Sequence, residues 1–279
     1  MTSICAGMDR YAVMGDPIAH SKSPRIHTLF ARQTDQHLQY DAIRVHSGNL
    51  AAAVADFLAA GGKGLNITVP LKEEAWLLAQ IHSGRAERAG AVNTLVLEQS
   101  GKHFGDNTDG AGLVRDLLRN HGSTLQKKRL LLVGAGGAAR GVIEPLLLEK
   151  PSLLVIANRT AEKAVELARL FCDLGHTEGC GLDDVAGQPF DLIINATAAS
   201  LAGQVPALPD SVVSTDSWCY DMMYADKPTA FMDWARQRGA ARCLDGLGML
   251  VEQAAESFYL WRGVRPDTRP VIEEMRQPG

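Results

Sequence analysis

The 279-residue chain has no apolar run long enough to cross a bilayer, which excludes a helical membrane-spanning class. It is poor in cysteine: Cys5, Cys172, Cys180, Cys219 and Cys243 are scattered, odd in number and form no CxxC. Such a set argues against a disulfide framework or a structural zinc site and for buried or idle thiols. No metal-ligand spacing is present, so no metal is expected. Positive charge is not in excess: the formal net charge is −4. That removes the electrostatic reason to expect nucleic acid or an anionic membrane as a partner. The opening residues MTSICAGMDRYAV lack the basic start and apolar core of a secretory signal, so the expected location is cytoplasmic. There is no internal repeat, low-complexity tract or charge block. Two catalytic patterns are also missing: SxxxYxxxK, and the GxSxG that would turn His20 and Ser21 into a nucleophilic pair.

What remains is an ordinary globular composition, 46% hydrophobic and 22% charged. Short apolar strands alternate with helical patterns, the mark of an α/β protein. In the first half, RYAVM, QYDAIRV and GLNITV read as strands, and NLAAAVADFLAA as an amphipathic helix stopped by Gly61 and Gly62. A further helix starts at Pro24, and NTLVLE with KHFGDN reads as a hairpin. After the helix entered at NTDGAGLVRDLLRN the pattern becomes strand, glycine-rich turn, helix, strand, helix, strand, strand, helix, strand. That is a doubly wound nucleotide-binding unit. GMLVEQAAESFYLWRG follows as a long apolar-faced helix.

In RLLLVGAGGAARG, Gly134, Gly136 and Ala139 fall in the GxGxx(G/A) spacing between a strand and a helix. The first glycine allows the turn, the second lets backbone approach a pyrophosphate, and the third, small position packs helix on strand. Pro145 lies inside the predicted helix and is expected to kink it, for no reason the sequence supplies. The next strand ends in Asn158, Arg159 and Thr160, with Lys163 one turn on, where an NAD enzyme carries an acid for the ribose 2′-hydroxyl. A guanidinium suits a 2′-phosphate, so the predicted cofactor is NADP(H). Thr160 also reads as a helix N-cap, and Lys163 equally as a solvated helix face.

A nicotinamide cofactor implies hydride transfer, and a side chain must then handle the proton. In GLNITVPLKEEA, Pro70, Leu71 and Lys72 read as the first turn of a helix. Helix starts favour acids and disfavour cations; Glu73 and Glu74 follow that rule and Lys72 breaks it. Lys72 is therefore the proton-donor candidate, and Asp109 in NTDG the carboxylate to orient it. Position alone leaves open a surface lysine and an N-capping aspartate.

These segments together resemble bacterial shikimate dehydrogenases over nearly the whole chain. The matching stretches are GDPIAHSKSPRIH, GLNITVPLKEEA, AGAVNT, GDNTDGAGL, VGAGGAARG, ANRT, INAT, YDMMY and DGLGMLVEQAA, in that order. The resemblance implies an NADP-dependent oxidoreductase that reversibly reduces 3-dehydroshikimate to shikimate, on the route to chorismate and the aromatic amino acids. It implies an N-terminal α/β substrate domain, residues 1–110 with 246–279, and a Rossmann-like NADP-binding domain, residues 111–245, the C-terminal helices returning to the first. It makes Lys72 and Asp109 the catalytic pair. Ser21 and Ser23, assisted by Tyr224, would bind the substrate carboxylate, and Thr68, Asn93 and Gln253 its ring hydroxyls. Ser23 before Pro24 also reads as a helix N-cap. Gly134, Ala135, Gly136, Gly137 and Ala138 would meet the cofactor phosphates; Asn158, Arg159, Thr160 and Lys163 the adenosine phosphate; Met222, Gly246 and Met249 the nicotinamide. The expected partner is this small molecule alone, with the protein a monomer or homodimer.

The chain departs from the family in two places. Ala198, Ala199 and Ser200 follow the INAT strand where members often carry Ser-Ser-Gly, which removes a potential hydrogen bond to cofactor. Gly84 replaces an often acidic residue. Two serines in SKSP favour shikimate over quinate. The alternatives are a quinate/shikimate dehydrogenase of broader substrate or cofactor use, against which the missing acid at Asn158–Thr160 argues, and a non-catalytic NADP-binding sensor, against which Lys72 and Asp109 argue. Amino-acid or methylene-folate dehydrogenases share the two-domain plan but not SKSP and NTDG.

Overall fold

The computed structural model describes residues 8–185, 187 and 189–277. Contacts divide it into two compact units: residues up to Thr108 with Gln253–Arg276, and Asp109–Glu252 with Gln277.

The first unit begins β1 (Asp9–Gly15), α1 (Ser23–Gln33), β2 (Leu38–Arg44), α2 (Leu50–Ala59), β3 (Gly62–Ile67) and α3 (Lys72–Leu78). It continues β4 (Ile81–His82), α4 (Gly84–Ala89), β5 (Thr94–Val96) and β6 (Phe104–Asp106). The six strands order as β2-β1-β3-β5-β6-β4, with β1 parallel to β2 and β3, and β5 antiparallel to β3 and β6. The two-residue period of β1 splits its side chains between two cores. Ala12 and Met14 join Leu65 and Ile67 of β3 under Leu50, Val54 and Phe57 of α2. Tyr11 and Val13 face the other way, beside Ile18 and Tyr40.

The second unit opens with α5 (Asp109–Arg115), whose last turn widens into a π-helical turn, Asp116–Asn120. Then follow β7 (Arg129–Val133), α6 (Gly137–Leu148), β8 (Leu153–Asn158), α7 (Ala161–Leu170), β9 (Thr177–Gly181) and β10 (Leu192–Asn195). β11 (Trp218–Asp221), α8 (Ala230–Gln237) and β12 (Arg242–Leu244) complete the sheet, ordered β12-β11-β10-β7-β8-β9 with every pairing parallel. The order reverses between β7 and β10, and open α/β sheets bind ligands at the strand C-termini of that switch point. α9 (Leu247–Arg262) starts in this unit and ends in the first, to which α10 (Arg269–Arg276) also belongs. Among the described residues no helix is long and apolar enough to cross a membrane.

Several elements differ from the sequence reading. β4, α4 and β9 were not anticipated, and β11 stops at Asp221. α3 begins at Lys72 and not at Pro70, because the Leu71 N–H closes a turn on the Thr68 carbonyl at 2.9 Å. No disulfide forms among the described cysteines: Cys219 is buried, Cys180 and Cys243 partly so, Cys172 exposed. Cys5 lies outside the described residues.

The reason for Pro145 becomes visible. α6 runs through it to Leu148. Proline has no N–H, so it releases the carbonyl four residues back, that of Gly141. Both groups lie against Gly110 of α5: a Cβ there would strike the Pro145 ring and stand 2.5 Å from the Gly141 oxygen. The two helices thus meet backbone to ring at a position where no side chain fits. Gly110→Ala should destabilise the protein by about 2 kcal/mol through overpacking, measured as a lowered urea midpoint at unchanged m-value.

Candidate active site

The first unit carries most of the residues expected to hold substrate. Ser21 ends the loop before α1, and its hydroxyl accepts the Ser23 N–H at 3.3 Å. Ser23 is not the cap: Lys22 holds that position, with no side-chain capping bond. Ser23 is instead buried in the first helical turn, its hydroxyl engaged with the Tyr40 phenol. Thr68 donates its N–H to the Met14 carbonyl at 2.9 Å, which brings the end of β3 onto β1. Lys72 heads α3, partly exposed, and its carbonyl accepts the Val92 N–H at 2.9 Å. The lysine backbone is therefore tied to the segment that presents Asn93.

Asn93 and Gln253 come together. The Asn93 amide donates to Gln253 Oε1 at 3.2 Å and to Thr108 Oγ1 at 2.9 Å. Its oxygen accepts from the Thr108 N–H at 2.8 Å and the Thr94 hydroxyl at 2.9 Å. Around this pair lie residues the sequence reading did not single out. Asn66 donates to Ser257 Oγ at 2.9 Å and accepts from Tyr40 at 2.7 Å, and Ser257 meets Thr94 at 2.7 Å. Buried polar atoms require such partners.

The segment leading to Asp109 is clamped from another side. Asp106 is buried and takes a two-pronged bond from Arg85, Nε to Oδ1 at 2.7 Å and Nη2 to Oδ2 at 2.6 Å. Burial opposes the Arg85 charge, but Asp106 and Glu256 outweigh it and raise its pKa. Asp106 also accepts the Asn107 N–H at 2.7 Å, and Asn107 reaches the Ala91 carbonyl at 2.9 Å. Asp109 follows as the first residue of α5 and of the second unit, its side chain buried. Nothing local in the sequence marks Arg85.

In the second unit Gly134 turns away from β7 with φ +116°, and a Cβ there would lie 3.2 Å from Thr197 Cγ2. Gly136 caps α6 in extended backbone, and a Cβ there would meet nothing within 4 Å. Ala135, Gly137 and Ala138 complete a turn whose outer face is open, at a helix start able to receive phosphate. At the end of β8, Asn158 bonds the Thr160 carbonyl at 3.0 Å, while Arg159, Thr160 and Lys163 are exposed. Thr160 occupies the N-cap of α7 without a side-chain capping bond. An open glycine cradle beside the exposed Arg159 and Lys163, with no acid at the end of β8 itself, fits a dinucleotide with a 2′-phosphate. Met222 and Met249 are nearly buried in one apolar cluster. Gly246 lies so close to the Met222 carbonyl that a Cβ would collide with it. Tyr224 also belongs to this unit, partly buried.

Comparison with known proteins gives these features relatives. Residues 13–95 match the shikimate dehydrogenase substrate binding domain, 116–203 the shikimate / quinate 5-dehydrogenase model and 246–276 the shikimate 5′-dehydrogenase C-terminal domain. A shikimate dehydrogenase (NADP(+)) of Alkalilimnicola ehrlichii is 58% identical over 268 residues, 96% of this chain and 98% of that one. One from Nitrosococcus oceani is 57% identical over 269 residues, covering 96% and 95%. The solved Ael1 enzyme from Pseudomonas putida superposes with a TM-score of 0.89 at 47% identity, covering 97% and 99%. Shikimate 5-dehydrogenase from Thermus thermophilus, in complex with NADP(H) and shikimate, gives 0.84 at 31% identity, covering 96% and 99%.

One residue beside the substrate-side network has no counterpart in the sequence reading. His27 of α1 is fully buried, stacked on Tyr40 with ring centroids 4.1 Å apart and walled by Phe30, Phe258 and Trp261. Neither ring nitrogen finds a hydrogen-bond partner. Burial, opposed only by Asn66, pushes its pKa down to about 3. The folded state thus keeps His27 neutral where the unfolded chain, titrating near 6.5, takes up a proton. Stability is complete above pH 6.5 and falls as the pH drops toward 3, by at most about 1.4 kcal/mol per unit. Urea unfolding at pH 7.5 and 5.5 should show this as a loss of about 1.4 kcal/mol that is missing from the pH dependence of His27→Phe.

Proposed function

The chain belongs to the shikimate dehydrogenase family, and from that membership we infer that it reversibly reduces 3-dehydroshikimate to shikimate with NADPH, a step toward chorismate and the aromatic amino acids. The observation that carries this is full-length similarity to NADP-dependent members, joined to a glycine cradle whose second strand ends in Arg159 and no acid. As a biosynthetic enzyme acting on a small polar substrate it is assigned to the cytoplasm, as a monomer or homodimer.

Bound NADPH supplies the hydride, and the substrate carbonyl oxygen needs a proton as it becomes a hydroxyl. We assign that proton to the Lys72 ammonium, whose neutral amine takes it back from the substrate hydroxyl in the reverse direction, with Asp109 as the partner carboxylate. Lys72 stands at the positive end of α3, where a cation is disfavoured, so its place there is better explained by proton transfer than by helix stability. Asn93, Gln253 and Thr68 are assigned to the ring hydroxyls. Asn93 and Gln253 already bond each other at 3.2 Å, so a hydroxyl entering between them exchanges one hydrogen bond for two. A site built this way rejects analogues lacking the hydroxyl. Ser21 and Ser23, at the start of α1, with Tyr224, are assigned to the carboxylate, which the helix dipole favours there. Gly134–Ala138 take the phosphates, Asn158, Arg159, Thr160 and Lys163 the adenosine phosphate, and Met222, Gly246 and Met249 the nicotinamide.

Purified protein assayed with shikimate and quinate, each with NADP+ and NAD+, should turn over shikimate with NADP+ well above the other three pairs. Comparable rates with quinate or NAD+ would move it to the broader-specificity branch, and none at all would leave a nucleotide sensor. Lys72→Ala should lose about 10²–10⁴-fold in kcat with little change in the KM for shikimate; wild-type turnover would remove Lys72 from the mechanism. Arg159→Ala should raise the KM for NADP+ about tenfold or more while leaving that for NAD+ nearly unchanged.

A further inference from the structure

The C-terminal ends of β10 and β11 meet at a carboxylate that none of the roles above uses. Asp221 is fully buried. Its Oδ1 accepts from Asn195 Nδ2 and from the Met223 N–H, each at 3.1 Å, and its Oδ2 from the Ser200 and Thr229 hydroxyls, each at 2.6 Å. Burial pushes its pKa above the usual carboxylate value against the pull of all four bonds. A group this costly to bury is retained when it organises what surrounds it.

Each donor comes from a different segment. Asn195 ends β10, Ser200 lies in the short turn after it, Met223 follows β11, and Thr229 caps α8 by accepting the Met232 N–H. From these four the contacts spread along the ligand-binding edge of the sheet. The Asn195 oxygen accepts the Thr197 N–H at 3.1 Å and its hydroxyl at 2.7 Å, and Thr197 abuts Gly134 of the glycine-rich turn. The Asn195 carbonyl accepts the Met222 N–H at 2.9 Å, and the Met223 carbonyl the Gly246 N–H at 3.0 Å. Ser200 closes the stretch where the family's polar residues are replaced by Ala198 and Ala199. Its hydroxyl points to Asp221, so its work is to hold the loop.

We propose that Asp221 is a positioning residue, setting the nicotinamide half of the NADP(H) site through Asn195, Ser200, Met223 and Thr229. The inference rests on the assignment of Met222 and Gly246 to the nicotinamide. It separates the two halves of the cofactor, because the four anchored segments leave out the Asn158–Lys163 end. Asp221→Ala removes the acceptor that all four donors share. Asp221→Asn keeps an acceptor for Met223 and presents an amide that the two hydroxyls can accept from.

Binding is to be titrated on the full-length protein with NADPH and with 2′,5′-ADP, the adenosine fragment that lacks nicotinamide. Asp221→Ala should weaken NADPH about tenfold or more and leave 2′,5′-ADP within about twofold, with Asp221→Asn close to wild type. Ser200→Ala, which removes one donor of four and keeps the fold testable if Asp221→Ala does not, should weaken NADPH about threefold with the same selectivity. Unchanged NADPH binding in both alanine variants, or equal weakening of both ligands, would overturn the proposal. Wild-type protein that binds 2′,5′-ADP no less tightly than NADPH would overturn the nicotinamide assignment beneath it, and the proposal with it.

Discussion

A side-chain amide closed off from water has to find every hydrogen bond inside the protein, and in the first unit that amide belongs to Asn93. Its oxygen and nitrogen bond Thr94, Thr108 and Gln253, from β5, the approach to α5 and α9. Its backbone carbonyl accepts from Ile67 of β3 at 2.8 Å, and its N–H donates to Asp106 of β6 at 3.0 Å. Four elements are thus referred to one residue, and Lys72 is referred to its neighbour Val92. Arg85 fixes the same junction from the far side by gripping Asp106. A buried polar atom left without any partner carries a penalty of about 1–3 kcal/mol, which acts against every arrangement that breaks the network. Asn93 and Gln253, two of the residues assigned to substrate, owe their mutual placement to this closed circuit.

What the sequence made legible was carried by rules acting within a few residues. The glycine-rich turn between β7 and α6, the periodic faces of α2 and α7, and the hairpin of β5 and β6 are of this kind. β4 has two residues and α4 six, too few for a period to show. β9 reads TEGCG, with no apolar alternation, because it lies on the sheet edge. Ser23 shows a local rule losing to a distant partner: Ser-Pro spells a helix cap, but Tyr40 takes the hydroxyl and the cap passes to Lys22. Asp221 and His27 are beyond local rules altogether, since their partners lie on other elements; a lone acid inside the apolar strand WCYD was the one visible sign. The candidate site was legible as a set of residues, whereas the network that supports it was not.

The second unit shows how one departure from a family pattern can be absorbed. Ala198 and Ala199 stand where members often carry serines, while Ser200 stands where they often carry glycine and turns its hydroxyl to Asp221 at 2.6 Å. The loop remains pinned while fewer of its side chains are offered to a ligand. The residues assigned to cofactor choice, Arg159 and Lys163, lie elsewhere and are exposed.

The two glycines of the nucleotide turn therefore answer to different masters. Gly134 is required by the chain itself, through its φ of +116° and the neighbouring Thr197. Gly136 sits in extended backbone with open space where a Cβ would go, so folding places no demand on it. In a population of variants, lesions at the first position would be removed by proteolysis as misfolded protein. On the assignment of Gly136 to the cofactor phosphates, lesions at the second would persist at full abundance and be purged only through lost metabolic flux. Cellular abundance and growth, scored in parallel across the same library, would set these neighbouring glycines apart.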